Sequence, residues 1–222
     1  KEENGVIKIG AMTVENDILN SALLQEKASL LPKAVKLIAD PQVRNRGTIG
    51  GDIAHGDPAN DHPAIMKAMD ATFLIAGPNG EREVKAVDFF HGTYMTDMAE
   101  NEILAEIHLT PLPANTGTAY VKLKRKTGDW ATAAAAVVLQ MAGGKVSMVR
   151  IGLTNVADTA LRASDAEALL MGQSLSDDVL SKVVDAVTAI CDPAEDLRGD
   201  AEYKTAMAGE MTKRAILQAA AE

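Results

Sequence analysis

The apolar positions change rhythm several times along this chain, and each change marks an element or a boundary. Val6 to Met12 comes close to alternating and predicts a short strand. From Asp17 to Ala39 the residues Ile18, Leu19, Ala22, Leu23, Leu31, Ala34, Val35 and Ile38 fall at helical spacing. That helix is interrupted near Pro32 and ended by Asp40-Pro41. Thr13 reads as its N-cap, with Glu15 and Asp17 in the first turn where carboxylates suit the helix dipole. Ala64 to Asp70 predicts another helical segment. Ala71 to Ala76 predicts a strand, which Gly77-Pro78-Asn79-Gly80 turns into Glu83 to Val87, and Asn101 to Leu109 predicts one more.

Pro111 to Gly117 is the best linker in the sequence, and the pattern differs beyond it. Ala119 to Lys124, Ala131 to Met141 and Lys145 to Val156 predict three long antiparallel strands, the last two joined by Gly143-Gly144. Helical periodicity then fills Ser164 to Met171, Asp177 to Ile190 and Asp200 to Ala221, with Ser164 and Glu167 at capping-box spacing. Strands followed by helices predict an α+β organisation, divided into residues 1–112 and 117–222, with no internal repeat. At the start, Lys1 to Gly5 leads directly into the first strand. That reads as half a hairpin whose first arm is absent, as in a fragment or a cleaved product.

One stretch, Arg44 to Pro63, is too rich in glycine and proline for a regular helix and reads as a shaped loop. In Thr48-Ile49-Gly50-Gly51-Asp52, amides without side chains could converge on an anion such as a pyrophosphate. Asp52 and Asp61 could accept hydrogen bonds from sugar hydroxyls. On the glycine pattern alone, a plain turn between strand and helix is the commoner explanation.

Composition removes several alternatives. The net charge of -9 argues against nucleic acid or an anionic membrane surface as the main partner. The single cysteine, Cys191, excludes an intrachain disulfide and an all-cysteine cluster carried by this chain alone, and it sits in an apolar helix end that suits an inert core thiol. No apolar run approaches the ~20 residues of a membrane span, and no secretory signal is visible, so a cytoplasmic location is expected. His55, Asp57, Asp61 and His62 could be arranged around a metal, but their spacing suits loop caps better. His91 and His108 have no partner pattern, and no Ser/His/Asp constellation stands out. Met207, Met211 and Leu217 read as a core stripe of the last helix.

Four blocks, in order, resemble a known family. Val43 to Asp52 is similar to the second flavin loop of the medium, FAD-binding subunits of molybdenum hydroxylases, the carbon monoxide and xanthine dehydrogenase relatives. Phe89-Phe90-His91-Gly92-Thr93-Tyr94 with Glu102-Ile103-Leu104 resembles the next block, and Tyr120 to Ala131, including the basic run Lys122 to Lys126, the third. Asp196-Leu197-Arg198-Gly199 with Ala201-Glu202-Tyr203-Lys204 is similar to the C-terminal signature. The aerobic carbon monoxide dehydrogenase branch is the nearest resemblance.

The resemblance implies the C-terminal lobe of a vanillyl-alcohol-oxidase-like (PCMH-type) FAD-binding domain, then a three-stranded antiparallel sheet with a helix bundle. It implies that Thr48, Ile49, Gly50, Gly51 and Asp52 hold the FAD diphosphate and adjoining atoms, and that Asp61 binds a sugar hydroxyl. Ile38 would pack on the flavin, Leu104 and Lys122 would line the isoalloxazine, and Trp130 would stand over the ring. Lys122 would favour an anionic reduced flavin by its charge. The expected partners are a large subunit with the molybdenum cofactor and a small subunit with [2Fe-2S] clusters, in a doubled heterotrimer. Electrons would leave FAD for an external acceptor such as a quinone, which could be membrane-associated at the inner face. Relatives also carry an N-terminal lobe with a loop of Ala-Gly-Gly-x-Ser type. This sequence contains no such loop, which implies weak or absent FAD binding by the chain alone. The alternatives are a stand-alone flavin oxidoreductase, which would need its own substrate cap, and a scaffold subunit that has lost FAD.

Overall fold

The chain begins with a tight hairpin. In the computed structural model, which describes residues 1–222, β1 (Glu2–Glu3) pairs antiparallel with β2 (Val6–Gly10). Asn4 and Gly5 form the turn at φ 52° and 77°, the left-handed pair that a two-residue hairpin requires. The arm expected to be missing is therefore present in short form.

Three short helices stand where one interrupted helix was expected: α1 (Glu15–Asn20), α2 (Ala22–Lys27) and α3 (Leu30–Val35). Ser21 separates the first two by accepting from the Leu24 N–H and capping the second. Pro32 lies in the first turn of α3, where its missing N–H removes no helical bond. Thr13 is not the cap of α1. Val14 holds that position without a side-chain bond, bridged to Thr48, and the Glu15 N–H donates to the Gly47 carbonyl at 3.0 Å.

The chain continues through α4 (Pro41–Arg44), α5 (Ile49–His55), α6 (Asp61–Ala68), β3 (Thr72–Gly77) and β4 (Gly80–Lys85). After α7 (Ala86–Phe89), the small pair β5 (Phe90–Gly92) and β6 (Met95–Thr96) leads to β7 (Ile103–Leu109). β7 inserts between β2 and β3, giving an antiparallel sheet in the order β1-β2-β7-β3-β4. Ile7, Ile9, Phe73, Ile75 and Ile107 face the helices from it and form the first core with Leu30, Leu31, Val35, Ile49 and Ile53.

Past the linker come β8 (Thr116–Leu123), β9 (Ala133–Ala142), β10 (Lys145–Thr154) and β11 (Leu161–Arg162), followed by α8 (Ser164–Leu170), α9 (Asp177–Ala189) and α10 (Ala201–Ala220). The three long strands lie as expected, with the two-residue β11 added at the edge in the order β11-β10-β9-β8. Ser164 does not close a capping box, because Glu167 instead accepts from the Ile151 N–H at 2.7 Å and pairs with Arg162. In α10, Met211 is buried among Ala208, Ala215 and Ile216, whereas Leu217 faces outward at 44% exposure and is no part of the stripe.

The second sheet is a wall shared by two cores. Ala134, Ala136 and Val138 of β9 point into the first core, while Ala133, Ala135, Val137 and Leu139 point into the second, against α8–α10. Alternation of side chains across a strand demands this division, and alanines on both faces let helices come close. Two glycines mark the closest approaches. A Cβ at Gly152 would lie 2.0 Å from the Ala64 carbonyl oxygen of α6, and one at Gly117 only 1.8 Å from that of Ala219 in α10. The two halves of the sequence are thus welded through β8–β10, and their junction is where the chemistry gathers.

Candidate functional site

The glycine-rich run does not form the loop its composition suggested. Ile49 to His55 is the seven-residue helix α5, opened by Thr48, whose hydroxyl accepts from the Gly51 N–H, and ended by Gly56 at φ 66°. The neighbouring amides are also engaged within the chain. The Ile49 N–H donates to the Thr13 carbonyl at 3.1 Å, Gly50 to Ala11 at 2.9 Å, and Asp52 to Thr48 at 3.1 Å. Gly50 is a glycine for packing, since its Cβ would sit 2.4 Å from that of Ala11. The convergent nest of free amides expected at Gly50 and Gly51 is therefore absent from this conformation. What the helix contributes is the carboxylate of Asp52.

Asp52 lines a cavity of about 270 Å³ between the two halves of the molecule, with Ile38, Asp61, Lys122 and Trp130. Five of the residues singled out from sequence thus converge from separate segments. Thr48, Ile49, Gly50 and Gly51 lie behind Asp52 without lining the cavity, and Leu104 is buried in β7 against Ile75, away from it. Asn60 and Asp129 also line the wall; the sequence reading named neither as a cofactor-binding residue.

The floor is electrostatic. Lys122, on β8, places Nζ 2.7 Å from Asp61 Oδ2 on α6, and the two side chains are 1% and 7% exposed. The Tyr120 hydroxyl donates to the other oxygen of Asp61 and lies 3.3 Å from the Thr154 hydroxyl. Burial pushes the Asp61 carboxyl above the usual carboxylate range, against the opposing pull of Lys122 and Tyr120. Burial, reinforced by the Asp61 charge, drives the Tyr120 phenol well above its ordinary value. Lys122 therefore has its charge compensated within the chain by Asp61.

Behind Asp52 lies a second buried group. His62 is fully enclosed, with Nε2 3.3 Å from Glu15 Oε2 and Nδ1 3.1 Å from Asp52 Oδ1. These are ion-pair contacts bent away from hydrogen-bond geometry. Burial alone would lower the imidazole's pKa, yet the neighbouring Glu15 and Asp52 carboxyls outweigh it and hold the pKa well above the ordinary value. The pattern Asn60-Asp61-His62 at the start of α6 was the available signal, since polar residues there are buried beneath the cavity instead of facing solvent.

The remaining histidines and acids of this region serve local structure. Asp57 accepts from the Ala59 N–H at 2.8 Å and from the Tyr94 hydroxyl at 3.2 Å, and His55 Nδ1 lies 3.3 Å from the Asn60 amide. His91 pairs with Asp97 and His108 with Glu106. The Cys191 thiol donates to the Val187 carbonyl, and burial pushes it up to about 11.

The cavity's chemistry suits a flavin ring. Ile38 offers an apolar face, the exposed indole of Trp130 a flat stacking surface, and the Lys122–Asp61 pair and Asp52 offer polar groups at the edge. The fold and this wall together define a flavin-binding subunit. Residues 1–113 match the FAD binding domain in molybdopterin dehydrogenase and residues 118–219 the CO dehydrogenase flavoprotein C-terminal domain, and the chain belongs to this family of FAD-binding medium subunits. It is 58% identical to the carbon monoxide dehydrogenase medium chain of Hydrogenophaga pseudoflava, over 97% of this chain and 75% of that one. It is 48% identical to the corresponding chain of Afipia carboxidovorans, over 100% and 77%. The solved structure of carbon monoxide dehydrogenase from Hydrogenophaga pseudoflava, in a form lacking the Mo-pyranopterin moiety, superimposes with a TM-score of 0.98 at 61% identity, covering 100% of this chain and 77% of that one. The chain is accordingly an FAD-binding oxidoreductase subunit, and the molybdenum cofactor and iron–sulfur clusters of the family belong to partner subunits.

Proposed function

We propose that this chain holds the isoalloxazine of FAD in the cavity between its two halves and serves as the electron-exit subunit of a carbon monoxide dehydrogenase-type assembly. The single observation that supports this reading most is the convergence of Ile38, Asp52, Asp61, Lys122 and Trp130 on that cavity. Bound FAD supplies the exchange of electrons between iron–sulfur clusters of a small subunit and an external acceptor. The residues of this chain bind and orient. Ile38 and Trp130 cover the ring's faces and exclude water. Asp52 and Asp61 accept hydrogen bonds from ligand hydroxyls, and the compensated Lys122 presents its ammonium to the ring's polar edge. Thr48 to Gly51 approach the diphosphate from the start of α5, and this contact requires their amides to exchange their present partners for phosphate oxygens. Leu104 acts at one remove, through the β7 backbone.

Carbon monoxide oxidation takes place in the large subunit under this reading, within a doubled heterotrimer working in the cytoplasm beside a membrane-associated acceptor. No helix of this chain is long and apolar enough to cross a membrane. The test is the absorbance of the native complex, with and without Trp130→Ala and Lys122→Met. The parent should show a ~450 nm flavin band in stoichiometric amount, and both variants should weaken FAD retention at least tenfold. A complex without the band, or variants that retain FAD as tightly as the parent, would overturn the reading.

A further inference from the structure

Trp130 stands between two cavities, and its position is set by contacts with the C-terminal segment of the chain. Besides the cavity of about 270 Å³ already described, it walls a second of about 340 Å³, bordered by Asp57, Tyr94, Asn155, Asp158 and Arg198. The indole is 48% exposed and follows a loop, so its own packing does not fix it. What fixes it is charge. Asp129 Oδ1 accepts from the Trp130 N–H at 2.9 Å and from Arg198 Nη2 and Nε at 3.0 and 3.2 Å, keying backbone and guanidinium to one oxygen. The Arg198 guanidinium lies over the indole, 5.7 Å from the ring centroid. On the opposite edge, the indole N–H donates to Asn60 Oδ1 at 3.4 Å.

Arg198 is held in turn. Its N–H donates to Asp196 Oδ1 at 2.8 Å and its Nη1 lies 3.3 Å from Asp196 Oδ2. The turn from Asp196 to Gly199 is closed by paired backbone bonds of 3.2 and 3.1 Å. Beneath it, Lys204 of α10 is almost fully buried, with Nζ 2.7 Å from the Ala194 carbonyl and 3.1 Å from Asp196 Oδ1. A buried lysine with its charge spent on one turn makes that turn rigid.

We infer that Arg198 is a positioning residue for the flavin site: with Asp129, Asp196 and Lys204 it forms a brace that sets where the Trp130 indole stands. The inference rests on the FAD reading for its purpose, but not for its test. Trp130 is the one tryptophan of this sequence, so acrylamide quenching of the full-length medium chain, taken as the difference from its Trp130→Phe variant, reports on that ring without any flavin. Arg198→Gln should raise the quenching constant about twofold, as a half-exposed ring becomes fully exposed. Arg198→Lys, which keeps the charge and loses the fork, should fall between, and it carries the test if the glutamine variant does not fold. Arg125→Gln removes the other guanidinium from Asp129 and should leave quenching unchanged. Quenching of Arg198→Gln equal to the parent, or an equal rise in Arg125→Gln, overturns the brace. Loss of the flavin band in the parent complex would instead overturn the FAD reading alone.

Discussion

Replacing Lys122 by methionine strips the cavity floor of its cation while keeping the side chain's length. Asp61 would then be a buried carboxylate with only the Tyr120 hydroxyl to stabilise it. Breaking a buried pair in this way costs about 3–5 kcal/mol. The upper end is capped, because Asp61 can take up a proton. Holding a carboxyl of ordinary pKa protonated at about pH 7 costs about 4 kcal/mol, and at about pH 5 only about 1.5 kcal/mol. The sign follows from linkage. Burial already raises the Asp61 pKa in the folded chain, and removing Lys122 raises it further. A raised folded pKa gives stability that is complete below the unfolded value and lost as pH rises towards the folded one. Lys122→Met should therefore be destabilised by about 3 kcal/mol near pH 7 and by about 1.5 kcal/mol or less near pH 5. For a chain of this size the larger figure lowers the melting temperature by about 6–12 °C. Urea titrations of the medium chain at both pH values measure it, and Lys122→Met/Asp61→Leu should recover at least half the loss near neutrality. A deficit under about 1 kcal/mol at neutral pH, or one of equal size at both values, refutes the reasoning.

Three further outcomes follow from the same physics. Gly152→Val places side-chain carbon where the Ala64 carbonyl now sits, 2.0 Å away; it should cost about 3 kcal/mol or abolish folding, whereas Gly144→Ala, in open space at φ 77°, should cost only about 1 kcal/mol by thermal melting. Glu15 and Asp52 hold the His62 pKa well above its ordinary value; its contribution to stability should be complete below about pH 6.5 and be lost as pH rises from there through the raised folded value, and His62→Gln should flatten that part of a stability-against-pH curve, a decline unchanged in the variant being the contrary result. Cys191, with its thiol pushed up to about 11, should react with iodoacetamide near neutral pH roughly a hundredfold more slowly than a free thiol, and a rate like that of free cysteine would contradict its burial.

Much of the second half was legible because its elements obey one rule at a time. Long alternating strands and amphipathic helices repeat a local period, and β8–β10 and α8–α10 end within a few residues of where the pattern puts them. The first half was harder, for reasons visible in particular residues. Gly50 looked like a phosphate glycine, yet it is small because Ala11 presses on it from the turn after β2, nearly forty positions earlier, and no local pattern carries that contact. Thr13 lost the cap of α1 because the chain enters that helix by pairing Val14 with Thr48, a tertiary preference that overrides capping propensity. The site was half legible. Ile38, Asp52, Asp61, Lys122 and Trp130 were placed by resemblance and do meet around one cavity. The groups that hold them were not, because Glu15, Tyr120 and Arg198 belong to patterns that read equally well as helix dipole, strand and turn. Buried charge pairs form between segments distant in sequence, so their partners show only once the chain is folded.

The most direct test of the central claim is a crystal structure of the FAD-loaded native complex. The isoalloxazine should occupy the cavity between Ile38 and Trp130, with its polar edge within hydrogen-bond distance of Lys122. A ring bound elsewhere on the chain, with Lys122 and Asp61 paired and untouched by ligand, would contradict it.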